Sequence, residues 1–284
     1  MNRRSGFTLV ELLVVMVIGG VLIAAAYRTL ISQERSYRVY DAAVNTQQAT
    51  RMSLQVLSAE LREISAQGGD LLYADDHAVA FRALRKLGFV CDMNKTLKQI
   101  TVVRMGEEPF KINDNLFVYV DGDTLTGSDD FWDTAQVSTM GSGGCTSVAG
   151  LAIAAALPGG TQSILKLAGA PHIDSVNVGA PVRSFDRVLY AAKKFGDEWY
   201  LGRATAPDTM VPLIGPLAPP TRDGLVFTYY DTLDNVMTSL PLDSAGRAAV
   251  RRVQVAVIGQ KTTDVATMQS YLDSLTTNVF LRGG

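Results

Sequence analysis

The chain has 284 residues, of which 47% are hydrophobic and 19% are charged, and its formal net charge is −2. This composition excludes an intrinsically disordered chain, because enough apolar side chains are present to form a core. The charge balance argues against nucleic acid as the main partner, since basic residues are not in excess outside the N-terminus. The length allows one large or two small domains in addition to a membrane segment.

The N-terminal segment is strongly apolar. Between Phe7 and Ala26 the only charged side chain is Glu11, and a helix of about twenty residues spans about 30 Å, the thickness of a bilayer core. Arg3 and Arg4 precede the apolar run, so the positive-inside rule places the N-terminus in the cytoplasm and the body across the membrane. Residues 7–27 are therefore predicted to form a transmembrane helix.

Two interpretations of this segment compete. A secretory signal peptide has the same basic start and apolar run, with a cleavage site at the alanines of positions 24–26, and it would deliver a secreted protein such as an enzyme. Against this interpretation, Glu11 costs roughly a few kcal/mol on insertion and brings a signal peptide no benefit. A carboxylate at membrane depth is instead expected to have a functional partner.

The run Gly6-Phe7-Thr8-Leu9-Val10-Glu11 resembles the type IV prepilin cleavage and methylation motif. The resemblance implies that a prepilin peptidase cuts between Gly6 and Phe7, removing a leader of residues 1–6, and that Phe7 is then N-methylated. The apolar helix is retained in that family. The resemblance further implies that Glu11, one helical turn from the new amine of Phe7, pairs with the N-terminal amine of a neighbouring subunit during assembly.

The resemblance also implies partners and a location. The partners would be prepilin peptidase, the inner-membrane assembly platform and other major or minor pilins or pseudopilins. The chain would be a single-pass protein of the bacterial inner membrane before assembly, and part of a periplasmic or extracellular filament afterwards. Many major pilins carry a proline in the membrane helix, and this chain has none there, which favours a minor pilin or a pseudopilin.

The helix is predicted to continue beyond the membrane, because no glycine or proline occurs from Arg28 to Ile64. Residues 28–66 would be an amphipathic continuation that ends before Gly68 and Gly69, giving one helix from about Phe7 to about Ala66. Its apolar side chains at helical spacing are Tyr37, Tyr40, Val44, Leu54, Leu57, Leu61 and Ile64.

A second, looser resemblance lies in this continuation. PilW-like minor pilins carry an aromatic residue, a glutamine pair, an arginine, a leucine-rich turn and a Glu-Leu-Arg run. The corresponding residues are Tyr40, Gln47, Gln48, Arg51, Leu57, Glu60, Leu61 and Arg62. The alternative is an ordinary amphipathic helix with solvated charges.

Residues 70–284 are predicted to form a β-rich globular domain. Short apolar runs alternate with polar turns, Gly196-Asp197 is placed in a hairpin turn, and residues 276–284 are a candidate closing strand. The fold class is thus α+β, a long N-terminal helix packed on a mostly antiparallel body, as in the pilin fold. The C-terminal runs resemble PilW-like proteins and the J-class pseudopilin of type II secretion, through Tyr229, Tyr230, Asp231, Arg252, Val253, Gln254, Val255, Val279, Phe280, Leu281 and Arg282.

The two cysteines, Cys91 and Cys145, cannot supply a four-ligand zinc site. They would form a disulfide if the chain is exported to an oxidising compartment, and the alternative is a pair of buried free thiols. Four carboxylates within ten residues are a candidate calcium site, and the alternative is a solvated turn, because EF-hand spacing is absent. These carboxylates are Asp121, Asp123, Asp129 and Asp130.

Nothing in the sequence points to catalysis. His77 and His172 stand far apart, and no phosphate-binding loop, dinucleotide fingerprint, nucleophile elbow or HExxH motif occurs. The chain is therefore predicted not to be an enzyme and to have no cofactor. The hypotheses that remain are a minor pilin for pilus initiation or tip assembly, a type II secretion pseudopilin, and an adhesive or ligand-binding module on a pilin stem, with residues 120–180 as the suspected loops.

Overall fold

The computed structural model describes residues 8–122, 130–170, 172–206, 208–264 and 269–282. In these residues a long N-terminal helix leads into a body of β-strands, and every pairing among the described strands is antiparallel. The α+β class predicted from the sequence is therefore confirmed.

The helices are α1 (Leu9–Glu63), α2 (Val148–Ala156) and α3 (Ser244–Ala249). The strands are β1 (Leu71–Ala74), β2 (Ala78–Asn94), β3 (Gln99–Met105), β4 (Asn115–Val120), β5 (Phe131–Gly141), β6 (Thr161–Ala168), β7 (Pro181–Phe195), β8 (Glu198–Thr205), β9 (Val211–Leu217), β10 (Leu225–Tyr230), β11 (Arg252–Asp264) and β12 (Gln269–Phe280).

Helix α1 is 55 residues long, which corresponds to about 80 Å at 1.5 Å per residue. It ends slightly earlier than the sequence predicted, because Ile64 already has an extended backbone with φ −86° and ψ 149°. Two tertiary hydrogen bonds hold this end. The Arg282 backbone N–H donates to the Ile64 carbonyl at 2.9 Å, and the Ser65 N–H donates to the Asp70 carboxylate at 2.8 Å.

The body covers only the second half of α1. None of residues 9–41 is buried, and the first buried side chain is Ala42. The predicted positions Leu54, Leu57, Leu61 and Ile64 are buried, because this part of α1 packs against β9, β11 and β12 in the main core. For Tyr37 and Tyr40, which lie on the same apolar stripe, the prediction from helical spacing was wrong.

Tyr37 and Tyr40 are 74% and 71% exposed, since they lie on the part of α1 beyond the reach of the body, and Val44 is only half-buried. Small and hydroxyl-bearing residues line the buried stripe instead, because the helix backbone approaches the sheet closely there. These residues are Ala42, Thr46, Ala49, Thr50 and Ser53.

The strands enclose two cores that share β2 and β7. The first core lies between α1 and a sheet in which β7 continues through β8 and β9 to β11, with β10 and β12 paired to β11. In the second, β2, β3, β6, β5, β4 and β7 pair in succession, and β7 returns to β2, so that the strands close a ring. Each strand of the ring contributes an interior apolar residue: Val90, Ile100, Leu116, Val137, Leu165 and Val182.

The two cysteines are joined in a disulfide across 54 positions. Of the two alternatives that the sequence left open, the structure has the bonded one. Cys91 and Cys145 are both buried, and Ile153, Ala154 and Leu157 pack over them. The apolar run of residues 149–160 contains most of α2. This helix begins at an N-cap, Ser147, and most of its surface is exposed.

The C-terminal strand predictions are confirmed. Strand β10 buries Leu225, Phe227 and Tyr229, and β11 buries its alternate valines on the same core. Phe195 pairs with Glu198, so Gly196-Asp197 forms the hairpin turn between β7 and β8. The closing strand β12 is longer than expected, because its antiparallel pairing with β11 continues back to Gln269.

The burial pattern of α1 leads to a stability prediction. Leu57→Ala should lower the free energy of unfolding by about 2–5 kcal/mol, because the side chain is 0% exposed and leaves a cavity. Tyr37→Ala, at a position that the sequence pattern alone would bury, should change it by no more than about 0.5 kcal/mol. Urea unfolding of the full-length chain in detergent micelles measures both, and equal losses would contradict the burial pattern.

Candidate assembly site on the N-terminal helix

The start of α1 is held by a side-chain cap. Thr8 is the N-cap residue, with φ −81° and ψ 150°, and its hydroxyl accepts a hydrogen bond from the Glu11 N–H at 3.3 Å. Thr8 and Glu11 have the spacing of a capping box, a signal visible in the sequence that singles out Thr8 as well as Glu11. The negative charge of Glu11 also lies at the positive end of the helix dipole. Glu11 therefore has a local role in starting the helix, in addition to any role towards a neighbour.

The predicted processing residues, Gly6 and Phe7, lie outside the described residues. The structure places the helix start directly after them, at Thr8 and Leu9. Cleavage between Gly6 and Phe7 and methylation of Phe7 remain predictions from the sequence.

The first half of α1 exposes a continuous apolar surface. Its most apolar 18-residue window has a mean hydropathy of 2.7, and none of that window is buried. Side chains such as Leu9 and Ile23 are 78% and 72% exposed. Soluble monomers rarely expose so large an apolar surface, so this part of the helix requires a bilayer or other helices around it.

The next stretch of α1 is exposed but has a different composition. It carries Tyr27, Tyr37 and Tyr40, which are exposed and lie near charged residues. Among these, Arg38 forms an exposed ion pair with Glu34 at 3.7 Å. A surface ion pair of this kind contributes little to stability. Aromatic and arginine side chains are the residue types that protein interfaces favour, so this segment is a candidate contact for neighbouring subunits.

The body contacts α1 through a small set of residues that we call the stem anchor. These residues are Asp41, Thr46, Thr50, Gly259, Lys261 and Asp273. Lys261 Nζ lies 2.9 Å from the Asp41 carboxylate, and the Thr50 hydroxyl donates to Asp273 Oδ2 at 2.8 Å. The hydrogen bond and the charge of Lys261 hold the pKa of Asp41 below its ordinary value.

Gly259 determines how closely the β11 backbone approaches α1 in the stem anchor. A Cβ atom built on this glycine would lie 2.5 Å from Thr46 Cγ2 and 3.0 Å from the Thr46 carbonyl oxygen. Only a residue without a side chain allows the β11 backbone to approach the helix to this extent. The body is therefore attached at a defined position along α1, and the exposed half of the helix projects beyond it.

The structure does not assemble the predicted calcium site from the residues it describes. Asp121 accepts a hydrogen bond from the Asn177 amide at 3.3 Å, and Asp130 accepts one from the Tyr119 hydroxyl at 2.6 Å. The other two candidates, Asp123 and Asp129, lie outside the described part of the chain. Within that part, no group of three or more histidine, cysteine, aspartate or glutamate residues could hold a metal ion.

The two histidines contact different elements. His77 Nδ1 lies 2.8 Å from the Leu225 carbonyl oxygen, next to β10. His172 Nδ1 lies 3.4 Å from the Asp133 carboxylate, and its ring meets Phe131 edge to face. Each ring has its own local partners, and no contact joins the two histidines in the described structure.

Comparison with known proteins identifies the N-terminal part of the chain. Residues 1–27 match the family model of the prokaryotic N-terminal methylation motif. The chain carries this motif, which is typical of type IV pilins and pseudopilins. No curated protein and no solved structure matches the chain.

The matched motif lies in the part of α1 that the body leaves exposed. The matched residues include Glu11 and end in the exposed half of the helix, before the body begins. Proteins with this motif are processed by prepilin peptidase and assemble with other pilins. The exposed apolar helix at the N-terminus fits a membrane-anchored precursor of that kind.

The stem anchor gives a second stability prediction. Gly259→Ala should destabilise the chain by about 1–3 kcal/mol, because the added methyl group overlaps Thr46. Gly141→Ala is the matched control, since the nearest atom to its Cβ, on Ile164, is 3.7 Å away. Adding Thr46→Ser, which removes the overlapping methyl group of Thr46, should restore part of the loss. Urea unfolding tests the series, and equal effects of the two alanine variants would contradict the close approach.

Proposed function

We propose that this chain is a minor pilin that takes part in the initiation or tip assembly of a type IV pilus. The observation that carries the proposal is the methylation motif at the start of a helix of which residues 9–41 are unburied. In this proposal residues 1–6 are a leader and residues 7–27 a membrane and filament-core helix. Residues 28–66 continue the stem, and residues 70–284 form a globular domain outside the cytoplasm.

The surface of α1 supports assembly through the helix. A Cβ atom added at Gly19 or Gly20 would have no neighbouring atom within 4 Å, so nothing inside the monomer requires glycine there. Small residues let neighbouring membrane helices approach closely. The alanines of positions 24–26 are also small. During assembly the apolar surface would move from contact with lipid to contact with neighbouring stems, without exposure to water.

Glu11 would control the register of that assembly. A carboxylate in an apolar phase is costly unless it is paired. Cleavage after Gly6 would create an ammonium group on Phe7, and the same group on a neighbouring subunit is the partner that the proposal assigns to Glu11. The cap from Thr8 to the Glu11 backbone leaves the carboxylate able to make that contact, since the bond uses the Glu11 N–H rather than its side chain.

The size of the body supports a position at the tip. Twelve described strands form two cores, only one of which packs on α1, and it does so along only the second half of that helix. A bulky body crowds its neighbours in a shaft, where each subunit is surrounded. An initiating or tip subunit has fewer neighbours. A type II secretion pseudopilin would share the processing and the helix, and the subunits that co-purify with the chain distinguish the two systems.

Processing can be tested on the mature protein. The N-terminal peptide from cells that contain prepilin peptidase should begin with N-methylated Phe7, as measured by mass spectrometry. Gly6→Val should leave the leader attached, because the peptidase then lacks its glycine. A mature N-terminus at Tyr27 would overturn the proposal in favour of a cleaved signal peptide.

Two substitutions separate the charge of Glu11 from its place in the cap. Glu11→Gln keeps a residue suited to a capping box but removes the charge, whereas Glu11→Val removes both. Both variants should enter the membrane, and both should be incorporated into filaments about tenfold less than the wild type, which corresponds to about 1.4 kcal/mol. Glu63→Gln, at an exposed position of the same helix beside the body and outside both the apolar half and the tyrosine-bearing segment, is the matched control and should assemble normally.

Immunoblots of sheared filaments against membrane fractions measure this incorporation. Normal incorporation of Glu11→Gln together with loss of Glu11→Val would reduce Glu11 to a capping residue. Normal incorporation of both variants would remove it from assembly altogether.

A further inference from the structure

A cavity of about 640 Å³ lies where α1 ends. It is bounded by the turn after α1, by β2, β4 and β7, by the start of β5 and by Arg282. We call it the basic-aromatic cavity, defined by Asp70, Phe117, Asp130, Trp132, Arg183 and Arg282. It lies at the opposite end of α1 from the methylation motif, about 80 Å along the helix.

Two guanidinium groups line this cavity without an anionic partner in contact. Neither the Arg183 nor the Arg282 side chain forms a hydrogen bond or an ion pair within the described residues. Arg85 and Lys86, which line an adjoining cavity with them, are both paired: Arg85 with Glu60 and Asp186, and Lys86 with Asp114.

Arg183 is half-buried without a contacting anion among the described residues, whereas Arg282 is exposed. Burial lowers the pKa of the Arg183 guanidinium, and the charge of Arg282 lowers it further. Asp70 and Glu63 act on Arg183 in the opposite direction, from beyond ion-pair distance. Two like charges that share a cavity favour an oxyanion between them, and arginine binds carboxylate and phosphate groups through two parallel hydrogen bonds.

The Asp130 carboxylate also lines the cavity. Its Oδ2 accepts from the Tyr119 hydroxyl at 2.6 Å, and a carboxylate oxygen can accept a second hydrogen bond, from a ligand hydroxyl group. The cavity thus offers cations for an acid group and a carboxylate for a hydroxyl group.

Aromatic rings form the remaining wall. Trp132 meets Phe117 edge to face at 6.3 Å and Tyr119 at 5.4 Å, and the Arg183 guanidinium lies 5.2 Å from the centre of the Trp132 ring. An aromatic face suits the C–H face of a sugar ring, because the electron-rich ring attracts positively polarised hydrogens. The volume is in the range of small organic ligands and exceeds the needs of a single inorganic anion.

We propose that the basic-aromatic cavity binds an acidic sugar of the uronic-acid class. Its carboxylate would lie against Arg183 and Arg282, a hydroxyl group would donate to Asp130, and the ring would pack on Trp132. At the tip of a filament this end of the molecule faces outward, away from the membrane. The proposal concerns the body alone, so its test is independent of whether the chain assembles into a pilus.

Tryptophan fluorescence of the full-length chain in detergent micelles tests the proposal. The sequence has two tryptophans, so a Trp199→Phe background leaves Trp132 as the single reporter. Glucuronate and galacturonate should each produce a saturable change. Glucose, which lacks the carboxylate, should produce none at the same concentrations. Acetate, which lacks the ring, should bind at least about tenfold more weakly.

Arginine variants test the site itself. Arg183→Gln and Arg282→Gln should each weaken uronate binding about tenfold or more, because each removes a charge-assisted hydrogen bond. Arg187→Gln is the matched control, since Arg187 lies on the same strand, is exposed and does not line the cavity. Arg282 is exposed, so its variant keeps the test valid if Arg183→Gln does not fold. Isothermal titration of the wild-type chain provides a second measurement that does not depend on Trp199→Phe.

The outcomes are distinct. Tenfold losses in the cavity variants, with Arg187→Gln unchanged, support the proposal. It is overturned if neither uronate binds, if glucose binds equally well, or if both cavity variants keep the wild-type affinity. Tighter binding of inorganic phosphate than of either uronate would also overturn it, because the cavity would then recognise charge alone.

Discussion

The close approach of α1 to the β11–β12 hairpin is the contact on which the rest of the structure depends. Gly259 lets the sheet backbone come within reach of Thr46 and Thr50, because a Cβ atom there would overlap Thr46. Around this point the stripe of small side chains on α1 is buried, and Lys261 pairs with Asp41 at its edge. The contact divides one continuous helix into a part that packs on the body and a part that no other described element buries.

That division gives the helix two environments with different chemical requirements. The second half is stabilised by burial against the sheet, as for any amphipathic helix in a globular protein. The first half has an apolar surface that water cannot accommodate, and a carboxylate that an apolar phase cannot accommodate alone. In the proposed assembly, neighbouring stems would cover the apolar surface and the amine of a neighbouring subunit would pair with Glu11.

The other end of α1 is organised by Asp70. Its carboxylate accepts the Ser65 N–H and so holds the turn that follows the helix. Burial raises the pKa of Asp70, while the Ser65 hydrogen bond and then the charges of Arg82, Arg282 and Arg183 act in the opposite direction. Asp70 is thus a buried carboxyl group beside the arginines of the basic-aromatic cavity. The end of the stem, the C-terminal strand and the cavity meet at this one group.

The sequence alone determined the helix, the antiparallel character of the body and the processing motif, because these depend on local patterns: an apolar run, alternating residues and a short motif. It also placed Leu57 and Leu61 in the core. Only the tertiary structure decided that Tyr37 and Tyr40 are exposed, that Ile64 ends the helix and that Arg183 and Arg282 share a cavity with Trp132. Helical spacing records which residues share a face, but not how far along that face the body extends. Contacts between residues far apart in the chain leave no local signal, so only the folded chain shows them.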